Sequence, residues 1–167
     1  MKYATSIRAV FDCNVLIQAA ANSNNAASAC FRLVEAEVVE LFVSESTLLE
    51  LNDVLHRDYI KEHFRYTDEV IREFIGKLRI SATVLREVPE VFSLPRDVDD
   101  EQYINLAIAA NAMYLVSHDN DLLDLMINFD MASKEFRQKT RPLRIVKPVD
   151  FLRNVEEQTT RDLSIAP

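Results

Sequence analysis

The chain has 167 residues, of which 49% are hydrophobic and 28% charged, and its formal net charge is −8. This length suits one domain of ordinary size, and this apolar fraction is enough for a buried core. The one glycine, Gly76, excludes glycine-rich phosphate loops and dinucleotide-binding fingerprints, which need several glycines at fixed spacing.

The first half of the chain alternates apolar runs with segments of helical periodicity. Short apolar runs bounded by polar residues predict buried strands, and apolar residues spaced three and four apart predict helices. In chain order we predict a strand over 7–11, helices over 14–21 and 26–37, a strand over 38–43, helices capped by Ser44 and Thr67, and a short strand over 83–85.

The second half repeats this alternation. We predict a helix opened by residues 97–100, a strand over 114–117, a short helix over 122–126, a strand over 143–146 and a helix starting at Pro148. Alternating strands and helices favour an α/β fold with three α/β/α layers and a mostly parallel central sheet. We expect one domain over 1–154 and a polar, mobile tail over 155–167.

Four acidic residues, each at or just past the end of a predicted strand, are the main functional signal. They are Asp12, Glu50, Asp100 and Asp119. The carboxyl ends of parallel strands meet at one edge of the sheet, where open α/β sheets bind ligands. Carboxylates gathered there repel each other unless a cation joins them, and Mg²⁺ and Mn²⁺ prefer oxygen ligands. The pattern therefore predicts a metal-dependent phosphoryl-transfer or nuclease site.

Each acid also has a structural interpretation. Asp12 is suited to cap the helix that follows it, and Asp97, Asp99 and Asp100 are ordinary residues for the first turn of a helix. Glu50 is the weakest candidate taken alone, because Glu45 and Asp53 lie on the same predicted helix.

Three blocks of sequence resemble the PIN domain family of metal-dependent ribonucleases. They are VFDCNVLI over 10–17, SESTLLELNDVL over 44–55, and DVDDEQYINLAIAANAMYLVSHDNDLLD over 97–124. The resemblance covers about residues 7–150 and is nearest to bacterial toxin components of toxin–antitoxin systems, akin to VapC-type toxins.

The resemblance implies a ribonuclease whose catalytic and metal-binding acids are Asp12, Glu50, Asp100 and Asp119, with Asp121 as a fifth possible metal ligand. It implies that Asn14 and Ser117 support these ligands and that the cofactor is Mg²⁺ or Mn²⁺. The sequence departs from the family pattern at Cys13, where threonine is frequent, and at His118, where glycine is frequent. Neither departure removes an acid.

A basic segment over 134–147 contrasts with the acidic whole. It contains six basic residues and one acid, Glu135, a local net charge of +5. We expect Arg137, Lys139 and Arg141 to contact RNA phosphates, although a solvated face would have the same composition. A second basic group lies earlier in the chain and consists of Arg57, Lys61, His63 and Arg65.

Two other functions remain open from the sequence. A non-catalytic module that binds RNA or protein would not need the acids to converge. A phosphatase that forms an aspartyl-phosphate normally has a second acid two residues after the first, where this chain has Asn14. An antitoxin protein and a second copy of the chain are the expected partners. We expect a cytoplasmic location, since no apolar run is long enough to span a membrane.

Overall fold

The computed structural model describes residues 6–165. The strands are β1 (Ile7–Phe11), β2 (Val39–Ser44), β3 (Thr83–Leu85), β4 (Tyr114–Val116) and β5 (Arg144–Val146). The helices are α1 (Cys13–Ala19), α2 (Ala26–Glu35), α3 (Glu45–Leu55), α4 (Asp58–Phe64), α5 (Asp68–Ser81), α6 (Val98–Ala109), α7 (Asn120–Leu123), α8 (Met131–Thr140) and α9 (Pro148–Ile165). A 3₁₀ turn over Asp124–Met126 follows α7.

The strands form one sheet in the order β3-β2-β1-β4-β5, and every pair in it is parallel. The chain builds the sheet outward from β1 in one direction as far as β3, then returns to the other side of β1 with β4. The crevice between the carboxyl ends of β1 and β4 is therefore the point where the strand order reverses, and such crevices bind ligands in open α/β sheets.

Alternating strand residues feed two separate cores. In β1, Ala9 and Phe11 join the core covered by α1, α2, α3, α5 and α9. Val10, between them, joins the opposite core with α6, α7 and α8. Successive side chains of a strand point to opposite faces, so helices on both sides are needed to bury them. The α/β fold with three layers is confirmed, and the sheet of the described residues is wholly parallel.

Polar side chains fix the helix starts and one long loop. Ser44 and Thr67 cap α3 and α5, as predicted. The loop over 86–97 is tied to α6 by the buried side chain of Asn105. Its Oδ1 accepts bonds of 2.9 and 2.8 Å from the backbone N–H groups of Val91 and Phe92, and its Nδ2 donates to the Phe92 carbonyl at 3.0 Å.

The sequence pattern does not predict two helices of the structure, because these helices bury few apolar residues. Sequence reasoning finds neither α4, whose residues all stay at least partly exposed, nor α8, where Phe136 is the one large buried side chain. On α5, Ile71, Phe74 and Leu78 are buried, whereas Val70 is exposed.

The C-terminal part of the chain is helical as far as the structure describes it. Helix α9 starts at Pro148, as predicted, and continues through residues 155–165 of the expected tail. The proposed domain division at residue 154 and the mobility of the tail stay predictions, and they include residues 1–5 and 166–167, which lie outside the described part. No helix within 6–165 combines the length and hydropathy needed to cross a membrane.

Candidate active site

The predicted acids lie at the carboxyl edge of the sheet, around the crevice between β1 and β4. Asp12 directly follows β1 and is buried, with 3% of its surface exposed. Its Oδ1 accepts a 2.9 Å hydrogen bond from the backbone N–H of Val15 and so caps α1. The cap uses one carboxylate oxygen, and the other faces the end of β4.

Ser117, the first residue after β4, joins two of the acids. Its hydroxyl donates to Oδ2 of Asp12 and accepts a 2.9 Å bond from the backbone N–H of Asp119. Ser117 is fully buried, so water does not compete for these bonds. Asp119 accepts a 2.8 Å bond from the N–H of Asp121 and caps α7. The ends of β1 and β4 are thereby held in a fixed relation.

The start of α6 adds two carboxylates to this edge. Asp97 caps the helix, and its Oδ1 accepts a 3.3 Å bond from the N–H of Asp100. One carboxylate oxygen from each of Asp97, Asp100 and Asp119 lies within 4.8 Å of the others. Ionised carboxylates this close repel each other strongly, because partly buried charges are screened far less than exposed ones.

Asp100 shows the effect of this crowding most clearly. Its Oδ2 is buried and has no hydrogen-bond partner among residues 6–165. Burial is the largest cause that raises the pKa of Asp100, and together with the nearby carboxylates of Asp119, Asp97 and Asp12 it brings that pKa to about 8. The site therefore favours a neutral Asp100 or a cation that offsets its charge.

Asp12 shows the same effect more weakly. Burial raises the pKa of Asp12 to about 6, and the charges of Asp119 and Glu50 act in the same direction. The hydrogen bonds from Ser117 and Val15 oppose this rise because they stabilise the carboxylate form. These two hydrogen bonds thus keep the pKa of Asp12 lower than burial alone would make it.

The donor set fits a hard divalent cation. The cluster of Asp97, Asp100 and Asp119 offers carboxylate oxygens, which Mg²⁺ and Mn²⁺ prefer, and includes no thiolate or imidazole of the kind that favours zinc. A cation there would offset the repulsion and give Oδ2 of Asp100 the partner that residues 6–165 do not supply. These three residues are a candidate metal-binding cluster.

Glu50 reaches the site from α3 on the other side of the crevice. Its Oε2 accepts a 2.8 Å hydrogen bond from the hydroxyl of Tyr103 and another from the side-chain amide of Gln102. Both donors are on α6, two and three residues beyond Asp100. Glu50 lies outside the close cluster of three but near enough to raise the pKa of Asp12. Helix α6 therefore positions carboxylates on both sides of the crevice.

Sequence reasoning misses Asp97, Gln102 and Tyr103. Asp97 reads as an ordinary residue at a helix start. Its spacing from Asp100 was the available signal, because a capping residue and the third residue of the helix lie next to each other. Gln102 and Tyr103 had no comparable signal, because their contact with Glu50 joins two helices far apart in the chain.

Two predicted residues lie at the margin of the site. Asp121 is exposed in the first turn of α7, and its side chain is not part of the close cluster. Asn14 is exposed on α1, and no hydrogen bond of its side chain is found within 6–165. Their roles as metal ligand and supporting residue stay predictions. Ser117, by contrast, contacts Asp12 directly.

The two residues that depart from the family pattern, Cys13 and His118, differ in burial. Burial, and after it the charge of Glu50, raises the pKa of the Cys13 thiol to about 12. A thiol with this pKa stays protonated at neutral pH and is a poor nucleophile. His118 is exposed in the loop after β4.

The structure divides the predicted RNA-binding residues from the acidic site. Arg137 donates to the carbonyls of Leu125 and Asn128 at 2.7 and 2.8 Å, so its guanidinium supports a loop. Lys139 pairs with Glu135 at 2.6 Å. Together with Arg141, Lys139 lines a small cavity beside residues 111–112, which precede β4 at the amino edge of the sheet. A contact of these residues with RNA stays a prediction.

Comparison with known proteins agrees with this geometry. A family model described as PIN domain matches residues 8–121, a range that contains Asp12, Glu50, Asp97, Asp100, Asp119 and Asp121. The uncharacterized protein MJ1680 of Methanocaldococcus jannaschii is 25% identical over 160 residues, covering 90% of this chain and 93% of that protein. The name of this relative assigns it no activity, so functional inference has to rest on the family and the site.

Proposed function

Because the chain belongs to the PIN domain family, a family of nucleases, we propose that it is a metal-dependent ribonuclease that hydrolyses phosphodiester bonds in RNA. The observation that carries this proposal is the convergence of Asp97, Asp100 and Asp119 within 4.8 Å at the carboxyl edge of the sheet. A purely structural cluster would be expected to satisfy its buried oxygens, and Oδ2 of Asp100 finds no partner among the described residues.

The residues divide into two roles. Asp97, Asp100 and Asp119 would hold Mg²⁺ or Mn²⁺, with Asp12 beside them. When bound, such an ion lowers the pKa of a water molecule and offsets the negative charge that builds on the phosphate. Ser117 would keep Asp12 and Asp119 in register through its two hydrogen bonds.

Glu50 would orient the attacking water from the opposite side of the crevice. Its two described hydrogen bonds both use Oε2, which leaves Oε1 to accept a proton from the water. The water oxygen then forms a bond to phosphorus as the bond from phosphorus to a ribose oxygen breaks, and the departing ribose oxygen takes a proton from solvent and leaves as a hydroxyl group. Tyr103 and Gln102 fix the carboxylate for this task, because a general base must lie within hydrogen-bond reach of the proton that it takes.

The test is cleavage of a sequence-diverse pool of single-stranded RNA across titrations of Mg²⁺ and of Mn²⁺, with EDTA as the metal-free control. We expect cleavage by the parent and none by Asp100→Asn. The matched control is Asp99→Asn, which removes the same charge from an exposed position in the same helical turn. Intact RNA under every metal condition would refute the proposal, and RNA binding without cleavage would instead favour a non-catalytic module.

We further propose that this ribonuclease is the toxin of a toxin–antitoxin pair, on the strength of the sequence resemblance. Induced expression in a bacterial host should then arrest growth, and Asp100→Asn should remove the arrest. Relief of the arrest by a co-expressed neighbouring gene would identify the antitoxin, and size-exclusion chromatography would test the expected homodimer. Normal growth with confirmed production of active enzyme would contradict the toxin role.

A further inference from the structure

A groove runs from the acidic site along the outer edge of β5. Its floor is the edge strand β5, and its walls are the 3₁₀ turn with α7 on one side and α9 on the other. It encloses about 460 Å³. Asn120 and Lys147 line the end of the groove next to Asp119, and Arg144 lies at the other end of the strand. The groove therefore begins where the candidate active site ends.

The groove concentrates cations in an acidic protein. It is lined by Arg144, Lys147 and Arg153, against the two carboxylates Asp124 and Asp150. Asp150 is already paired with Arg153 at 3.1 Å. Within residues 6–165, no carboxylate lies within 4.0 Å of the charged nitrogens of Arg144 or Lys147. Two exposed cations are thus available for an anionic ligand.

A loop at the rim of the groove presents an exposed aromatic ring. Ile127 lines the groove, and Phe129, two residues further, is 83% exposed. The loop is held in place by Arg137, which donates to the carbonyls of Leu125 and Asn128. Proteins that bind single-stranded nucleic acids combine a cationic groove for the phosphates with aromatic rings on which bases stack.

We propose that this groove binds the segment of single-stranded RNA adjoining the bond that is cleaved, with Lys147 and Arg144 on its phosphates and Phe129 stacked on a base. The inference rests on the proposed ribonuclease function and adds to it the side from which the substrate reaches the acids. It also replaces Lys139 and Arg141, at the opposite edge of the sheet, as the expected phosphate contacts.

The structure offers a matched pair of variants for the test. Lys147→Ala with Arg144→Ala removes two charges from the groove, and Lys139→Ala with Arg141→Ala removes two charges from the amino edge. Binding of a fluorescein-labelled, mixed-sequence single-stranded RNA is measured by fluorescence anisotropy in EDTA, where cleavage cannot occur, over a series of salt concentrations. Thermal melting of each variant checks that it is folded.

We expect the groove variant to bind more weakly and to lower the slope of log Kd against log salt by about 1.4, the value for two lost phosphate contacts on a single strand. The amino-edge variant should keep the parent slope. Phe129→Ala should weaken binding without changing the slope, because stacking releases no counterions. With Mg²⁺ present, the groove variant should raise KM and leave kcat unchanged, since these contacts exist before and during the reaction.

Equal slopes for the parent and the groove variant would overturn the inference while leaving the ribonuclease proposal standing, provided that the parent still cleaves RNA. If the parent neither binds nor cleaves RNA, both proposals fail. Arg144→Lys with Lys147→Arg, which keeps both charges, should retain the parent slope, and loss of the slope in this variant would show that the effect is not electrostatic.

Discussion

The crowding of carboxylates makes a quantitative prediction for Asp100→Asn in the absence of metal. An ordinary aspartate has a pKa of 3.8, and burial together with neighbouring carboxylates raises that of Asp100 to about 8. Because the folded protein holds this proton more tightly than the unfolded chain does, ionising Asp100 destabilises the fold. The destabilisation is absent below the unfolded pKa, grows as the pH rises through this window and is complete above about pH 8.

The size of the effect follows from the same pKa difference. Four decades of proton affinity correspond to ~6 kcal/mol at ~1.4 kcal/mol per decade. Asp100 is only partly buried, so solvent screens much of this repulsion, and we expect ~1–2 kcal/mol to remain. Asparagine keeps the shape of the side chain and carries no charge. In EDTA, Asp100→Asn should therefore match the parent near pH 3, below the unfolded pKa, and exceed its stability by ~1–2 kcal/mol near pH 8.5, or ~2–8 °C in Tm for a chain of this size.

Thermal melting at the two pH values measures this difference, with exposed Asp99→Asn as the control that should show no pH-dependent gain. Adding Mg²⁺ should reverse the order, because a ligand that binds only the folded state raises Tm and the variant has lost a proposed metal ligand. A variant that is less stable than the parent near pH 8.5, or a gain of the same size at both pH values, would refute the crowding argument.

Three further outcomes are expected. Ser117→Ala removes the hydroxyl that donates to Asp12 and should lower the free energy of unfolding, measured by chemical denaturation, by ~1–2 kcal/mol, because a buried carboxylate oxygen loses its donor. A smaller loss would mean that water replaces the hydroxyl. Tyr103→Phe should lower kcat for RNA cleavage with little change in KM or Tm, because it releases Glu50 without opening a cavity; unchanged kcat would place Glu50 outside the reaction. Asp97→Asn should slightly raise the metal-free Tm, since asparagine caps helices as well as aspartate and one repelling charge leaves the cluster, but it should also raise the Mg²⁺ concentration needed for thermal stabilisation; an unchanged Mg²⁺ dependence would make Asp97 a cap alone.

Most of the fold was predictable from the sequence, because the apolar runs and the capping residues coincide with the strands and helices that are buried. The strand over 7–11 is apolar on both faces because helices cover both faces. Ser44 and Thr67 are typical N-cap residues, so they predict the starts of α3 and α5. Helices α4 and α8 escaped prediction for the opposite reason. Their residues are mostly charged or polar, so apolar periodicity is nearly absent, and neighbouring elements rather than a buried stripe hold them.

The site was predictable as far as strand ends define it. Asp12 and Asp119 follow directly from the carboxyl ends of β1 and β4, and Asp100 from the helix that packs beside them. The bonds from Gln102 and Tyr103 to Glu50 depend on how α3 and α6 face each other, which no single segment encodes. The sequence of the basic segment over 134–147 likewise does not show which of its charges share a surface: Lys139 and Arg141 line one cavity, and Arg144 and Lys147 line another.

The attachment of the 86–97 loop to α6 bears on how this protein can diverge. Asn105 binds only backbone groups of Val91 and Phe92, and Glu101 likewise accepts a 3.0 Å bond from the backbone N–H of Leu94. Such bonds fix the path of the loop through its backbone, so they do not depend on the identity of most of its side chains. Exposed positions such as Glu90 and Val91 can therefore change without displacing Asp97, which follows them into the site. The loop beside the crevice is free to acquire new surface chemistry by substitution, whereas replacing Asn105, remote from the acids, would release it.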